Sequence, residues 1–494
     1  MVLLGIDLGT SSIKVSAVCV QTKQTLSSIQ YPPEEVGIDA PEAGWAEQSP
    51  DQWWQHVKEA IQQLVLPEGF DKKDISAIGI AYQMHGLVLL DKEGNVLRPS
   101  IIWCDSRAAT IGEEAFQGLG GTQILSSLLN SPGNFTASKL AWVKQNEPEV
   151  YERAHKMMLP GDFIGFRLTN KLTTTSSALS EGIFWDFQAN QVSEDLLRYF
   201  GFPSSILPDI QPVFSVHGRV TAEIAKELGI PVGTPVTYKA GDQPNNALSL
   251  RVTEPGEIAA TAGTSGVIYA VSDQISYDPL SRVNSFAHVN HTAEQTRIGI
   301  LLCINGTGIL NRWIKENFAS HLSYPELNQR AAQAPIGSDG ITILPFGNGI
   351  ERVLENKKTD VQIHGIDLNR HSLAHISRAV QEGIACSFQY GFELMQAQGV
   401  QPKVIRAGKA NLFLSEVFCE ILTNITQTAI ELYDTDGAKG AALAAGVGSG
   451  QFANLGEALE TLSLLKIYQP EPNLSQSYQQ LYHNWLRHLQ QSKA

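Results

Sequence analysis

Gly5-Ile6-Asp7-Leu8-Gly9-Thr10-Ser11-Ser12-Ile13-Lys14 is the stretch on which the reading of this chain turns. The apolar run from Val2 to Ile6 ends in a carboxylate, and Gly9 with three hydroxyl residues follows. Beyond it Ile13, Val15 and Ala17 alternate with Lys14, Ser16 and Val18, a period of two that predicts a strand. The stretch reads as strand, tight glycine turn, strand. Glycine at positive φ lets backbone N–H groups turn toward one point, and neighbouring hydroxyls add donors, so such a turn can hold a phosphate. Asp7, at the strand end, would then face a cation carried by that phosphate. A hairpin with a G-T-S turn also arises for purely structural reasons, and local chemistry alone leaves both readings open.

A second copy sharpens the choice. Thr261-Ala262-Gly263-Thr264-Ser265-Gly266-Val267-Ile268-Tyr269-Ala270 overlays Leu8 to Ala17 with the turn and the following apolar strand in register. Two like hairpins in two like-sized halves point to a duplication, with one nucleotide clasped between the halves. Thr261 stands where the first copy has Asp7, so only the first copy offers a carboxylate there.

A chain of 494 residues predicts two to three domains. An apolar fraction of 43% with 17% charged residues is that of a globular protein. The net charge of −14 argues against nucleic-acid or anionic-membrane partners, whose phosphates would be repelled. It leaves room for ATP, which arrives neutralised by magnesium. The five cysteines are scattered without a C-x-x-C spacing, which predicts neither a disulfide framework nor a zinc site. His288 and His291 lack a third ligand nearby and read as ordinary histidines. Asp7 and Lys14 come too early for a signal peptide, and no uncharged apolar run reaches membrane length. The expected location is cytoplasmic.

Along the chain, Ser49-Pro50-Asp51-Gln52 opens a helix whose buried stripe is Trp53, Val57, Ile61 and Leu64. Strands are expected at Ile75 to Tyr82, Pro235 to Ala240, Ile298 to Ile304 and Val404-Ile405. Asp162 to Trp185 reads as strand segments around a Thr/Ser-rich turn, and a helix is expected through Ala247 to Leu250. Asp436 to Ala442 opens a small-residue helix able to pack very closely. Strands alternating with helices predict α/β architecture, with a hinge at Arg251 to Gly256.

These residues resemble the FGGY carbohydrate kinases of the ribonuclease H-like, actin-like ATPase superfamily. The resemblance rests on the Asp7 to Thr10 hairpin, G-W-A-E-Q-S-P-D-Q-W-W at 44–54, W-C-D-S-R at 103–107 and F-T-A-S-K-L-A-W at 135–142. It continues through A-G-D-Q at 240–243, A-G-T-S-G at 262–266 and a block from His364 to Glu382. The Q-M-H-G turn at 83–86 is similar to that of the family's xylulose kinases. The chain departs from the family at Arg406-Ala407-Gly408-Lys409, where a glycine-rich adenine loop is usual, at Gln243, and at the segment after Pro345.

The resemblance implies two ribonuclease H-like domains about a central cleft: residues 1–250 for the sugar and catalytic base, 251–494 for the nucleotide. It implies an ATP- and Mg²⁺-dependent kinase that phosphorylates D-xylulose on its terminal hydroxyl without a covalent enzyme intermediate. The alternatives are the same chemistry on another ketose, polyol or sugar acid, and a non-transferring actin-like ATPase or sugar sensor. A homodimer is left open. Asp242, which by spacing alone reads as a helix cap sooner than as a base, becomes the general base, and Asp7 the magnesium residue. Met84, His85, Trp103, Asp105, Asp242 and Gln243 become the sugar set. Gly9, Thr10, Ser11, Ser12, Lys14, Gly263, Thr264, Ser265, Gly408 and Asn411 become the nucleotide set. For Lys139 and Trp142 a structural role is expected.

Overall fold

The structure, a computed structural model, describes residues 1–493. The chain folds as two compact units. The first comprises Met1–Arg251, Phe286–Ile298 and Thr435–Leu462, and the second Val252–Ser285, Gly299–Asp434 and the chain from Ser463 onward.

The first unit is organised on a six-stranded sheet in the order Phe214–Arg219, Pro235–Gly241, Ile75–Tyr82, Val2–Leu8, Ile13–Cys19, Thr25–Tyr31. Val2–Leu8 pairs antiparallel with Ile13–Cys19, setting Asp7 opposite Lys14, and parallel with Ile75–Tyr82. Two faces cover this sheet. On one, the helix Pro50–Gln63 is capped by Ser49, whose hydroxyl accepts from Gln52 N, and buries Trp53, Val57 and Ile61. Against Val2–Leu8, Ile75–Tyr82 and Pro235–Gly241 lies the small-residue helix Gly437–Gly448. Its approach is so close that a β-carbon on Gly5 would lie 1.8 Å from Ala438 O, and one on Gly79 2.0 Å from Ala441 O. Only glycine permits that spacing.

The second unit carries a seven-stranded sheet, Asn284–Ala287, Ile298–Ile304, Gly266–Ser272, Glu257–Ala262, Val404–Gly408, Ile430–Tyr433, Leu464–Tyr468. The plan of the first sheet recurs: an antiparallel hairpin, two parallel neighbours beyond its first strand, and an antiparallel edge. The mixed α/β architecture expected from the sequence is therefore present, with one such sheet in each unit.

Asp162 to Trp185 departs from its reading. It is mainly helical, with Pro160–Thr169 and Ser176–Glu181 and two-residue strands at Thr173–Thr174 and Trp185–Asp186. The Thr/Ser-rich segment, expected as a turn between strands, instead leads into a helix. Thr175 caps that helix, its hydroxyl accepting from Ala178 N. The helix expected at Ala247 begins earlier, at Asp242. No helix among the described residues is long and apolar enough to cross a membrane.

Candidate active site

In the first unit Gly9 closes the quoted turn, its N–H donating to Ser12 O at 3.1 Å, while Ser11 O accepts from Val36 N. Thr10 is tied into a relay. Its hydroxyl accepts from Trp103 Nε1 at 3.0 Å and lies 3.3 Å from Gln83 Oε1, and its carbonyl accepts from Gln48 Nε2 at 2.7 Å. Gln83 Nε2 donates to Gln48 Oε1, which also takes the Trp53 indole N–H. The phosphate-type turn and the Q-M-H-G turn are thus bridged by two glutamines. Trp103 is exposed, so it is available to a ligand and is not core.

Asp7 meets Lys14 across the hairpin, and Lys14 Nζ donates to Asp436 Oδ2 at 2.6 Å. Asp436 caps the Gly437–Gly448 helix through Lys439 N. Burial, then the charge of Asp436, pushes the Asp7 carboxyl up to about 6 against the opposing pull of Lys14.

Asp242 is the first residue of the helix Asp242–Ser249, and the cap position falls on Gly241. Burial, then the charge of Asp7, pushes its carboxyl up to about 7, while hydrogen bonds from the Gln243 backbone and side chain oppose the rise. Asp7 raises the proton affinity of Asp242, and Asp436 raises that of Asp7, so the three carboxylates mark a surplus of negative charge. A divalent cation would relieve it. Among the described residues no three His, Cys, Asp or Glu converge on one point. The carboxylates of Asp7 and Asp242 fit magnesium, which takes one or two carboxylates and keeps water and phosphate oxygens as its other ligands.

The Met84–His85 turn adjoins Asp242 across Gly241, where a β-carbon would lie 2.6 Å from Met84 Cγ. His85 sits at φ +63°. Its ring packs edge-on to Phe135, with centroids 4.8 Å apart, and against Phe286 at 5.5 Å. Lys139, wholly buried, donates to His85 O and Ile102 O, both at 2.9 Å, and burial pulls its ammonium down to about 7. Its role is to hold the two segments that present His85 and Trp103. Asp105 differs from the rest of the proposed sugar set. It is fully buried, with its oxygens accepting from Ala46 N and from the Arg107 guanidinium. Arg107 in turn lies over the Trp45 ring at 3.7 Å and faces Trp142. Asp105 therefore braces the W-C-D-S-R segment and presents no surface to a sugar.

In the second unit a cavity of about 680 Å³ opens beside the second G-T-S turn, lined by Gly263, Thr264, Asn311, Tyr324, Asn328 and Asn411 among others. Gly308 N and Ile309 N donate to Gly263 O and Thr264 O, fixing the turn to the start of the helix Gly308–Phe318. Ser265 and Gly408 lie outside its lining. Arg406 is held away in ion pairs with Glu257 and Glu431, so its bulk does not fill the cavity. Sequence reading missed Glu181 and Phe286, which carry no local motif. Phe135 sat inside the F-T-A-S-K segment without a role.

The sequence family described as "FGGY family of carbohydrate kinases, N-terminal domain" matches residues 2–249, and its C-terminal domain matches 258–449. The chain belongs to the FGGY family of carbohydrate kinases. The kinase is 29% identical over 490 residues to a xylulose kinase of Bacillus subtilis (strain 168), covering 97% of this chain and 95% of that protein. A xylulose kinase structure from Rhodospirillum rubrum superposes with a TM-score of 0.88 at 25% identity, covering 99% and 98% of the two chains. A gluconate kinase from Lactobacillus acidophilus gives the same TM-score at 24% identity, covering 98% and 97%. The fold is common to kinases of different sugars. The protein is an ATP-dependent phosphotransferase acting on a sugar alcohol group, and the non-transferring ATPase alternative falls away.

Proposed function

We propose that this kinase phosphorylates D-xylulose on its terminal hydroxyl, with Asp242 as general base and magnesium held at Asp7. The observation that carries the reading is the adjacency of Asp242 to the Met84–His85 turn, a base beside a sugar-type turn within one compact unit. Asp242 takes the proton of the terminal hydroxyl as the oxygen forms its bond to the γ-phosphorus. The bond from that phosphorus to the β–γ bridging oxygen breaks, and ADP leaves. Near pH 7 a carboxyl held at about 7 is poised for such a transfer.

The second-unit cavity, with Gly263, Thr264 and Asn411 on its wall, takes the nucleotide in this reading. The backbone and hydroxyls of Gly9 to Ser12 and the ammonium of Lys14 take phosphate oxygens. Bound at Asp7, magnesium would supply charge neutralisation on the phosphates. Met84, His85, Trp103 and Gln243 orient the sugar. Gln243 also keeps the Asp242 carboxylate aimed, since it donates to it.

A panel of ketoses, polyols and sugar acids, assayed with ATP and followed by ³¹P and ¹³C NMR of the product, tests the reading. D-xylulose with the highest kcat/KM and phosphate on C5 supports it. A higher kcat/KM for gluconate or another ketose overturns the choice of sugar.

A further inference from the structure

Glu181 is a carboxyl group with almost no access to solvent, 2% exposed, at the C-terminal end of the short helix Ser176–Glu181. Burying a carboxyl where an apolar side chain would pack is costly unless its oxygens are used. Both are. Oε1 accepts from Tyr82 Oη at 2.7 Å, and Oε2 accepts from His85 N at 3.1 Å. A third contact comes from its backbone: Glu181 O lies 3.0 Å from His85 Nδ1.

A carbonyl oxygen can only accept, so the hydrogen in that last bond belongs to Nδ1. In the neutral ring, Nε2 then carries a lone pair, and His85 acts toward a hydroxyl as an acceptor. The backbone of His85 is fixed from both sides as well. Glu181 takes its N–H and Lys139 Nζ donates to its carbonyl. These bonds hold a non-glycine residue at φ +63°, a state that free histidine avoids. The helix bearing Glu181 is itself pinned, Ser177 Oγ donating to Ala287 O and Ala287 N to Ser180 Oγ, next to the Phe286 ring that packs on His85.

We propose that Glu181 is a positioning residue for the sugar: it holds the Met84–His85 turn in its left-handed state and fixes His85 as an Nδ1–H, Nε2-acceptor ring. This rests on the reading that His85 meets the sugar. Glu181 touches neither sugar nor nucleotide in it. The titratable and charged groups around Glu181 are Tyr82, His85, Lys139, Asp162 and Asp242. Asp242 and Asp162 both disfavour its ionised form, after burial, which raises its carboxyl well above the usual range.

The test uses the full-length enzyme and whichever sugar the panel identifies, so failure of D-xylulose as substrate leaves it intact. In Glu181→Gln the amide oxygen can accept from His85 N while the amide N–H donates to Tyr82 Oη. The sugar KM should stay within about threefold of wild type. Glu181→Ala should raise the sugar KM by about tenfold or more while the ATP KM stays within about twofold. The same sugar KM in both variants as in wild type overturns the proposal, as does an equal rise in the sugar and ATP KM values. Should Glu181→Ala fail to fold, ¹⁵N NMR of histidine-labelled wild-type enzyme, with the His85 signals assigned through His85→Gln, still decides. Above the pKa of His85, an Nδ1–H ring supports the proposal and an Nε2–H ring overturns it. Loss of activity in Asp242→Asn with an unaltered His85 tautomer separates the base assignment from this one.

Discussion

Asp7 occupies the space that a side chain on Gly437 would need: a β-carbon there would lie 2.2 Å from Asp7 Oδ2. The proposed magnesium carboxylate is thus seated against the first residue of the Gly437–Gly448 helix, with Lys14 across the hairpin. Gly437→Ala is expected to displace Asp7 and lower kcat by about tenfold or more, without a matching loss of ATP affinity. Steady-state kinetics across a magnesium titration measures this. An unchanged titration curve in both Gly437→Ala and Asp7→Ala would show that Asp7 does not hold magnesium.

Asp242→Asn should lower kcat by about 10²- to 10⁴-fold, the usual loss on removing a general base. It should also stabilise the ligand-free protein at pH 8. The folded carboxyl is held at about 7, above its ordinary value of 3.8, so the native state binds more protons than the unfolded one between these limits. Stability conferred by that carboxyl is therefore present at low pH and lost as pH rises toward 7. The variant should melt about 2–4 °C higher than wild type at pH 8, with no difference near pH 4. A variant of near-normal kcat would remove Asp242 from the mechanism.

The acid limb of kcat/KM for the sugar should fall near pH 7, because a protonated Asp242 cannot accept the hydroxyl proton. Asp7 is a cause of that high value, so in Asp7→Asn the limb of the residual activity should move to lower pH. A pH–rate profile of both enzymes decides. A limb that stays in place would show that burial alone sets it.

Asn411→Ala should raise the KM for ATP about three- to tenfold while the sugar KM is unmoved, since Asn411 lines the second-unit cavity. Lys14→Met should cost little stability, within about 1 kcal/mol, because Lys14 and Asp436 are 38% and 35% exposed. Its effect should fall on kcat. Thermal melts and kinetics on the same preparations separate the two.

The hairpins and their duplication were legible because a period of two and a G-T-S turn are local signals. Asp436 was legible as a helix opener for the same reason, and so was the close-packing character of the residues after it. What stayed hidden was distant in sequence. The Thr/Ser-rich segment reads as a turn, yet Thr175 is a cap, and the helix it starts delivers Glu181 to His85, 96 residues away. Asp105 reads as a sugar residue only through the family signature around it. Its commitment to Arg107 and Ala46 depends on packing that no local pattern encodes. Arg406 departs from the family's glycine-rich adenine loop, and only the structure shows Glu257 and Glu431 holding it aside.

The helix Gly437–Gly448 has a consequence for how the protein is made. Strands Val2–Leu8 and Ile75–Tyr82 are translated early, but the helix that covers them is encoded more than three hundred codons later, in Thr435–Leu462. While the ribosome is still working through the second unit, the nascent first sheet has one apolar face with its native cover missing. That face becomes closed only when the late helix emerges. Until then it is a surface for chaperones to shield, and a chain truncated before Thr435 carries all six strands of its first sheet but not the helix that covers them.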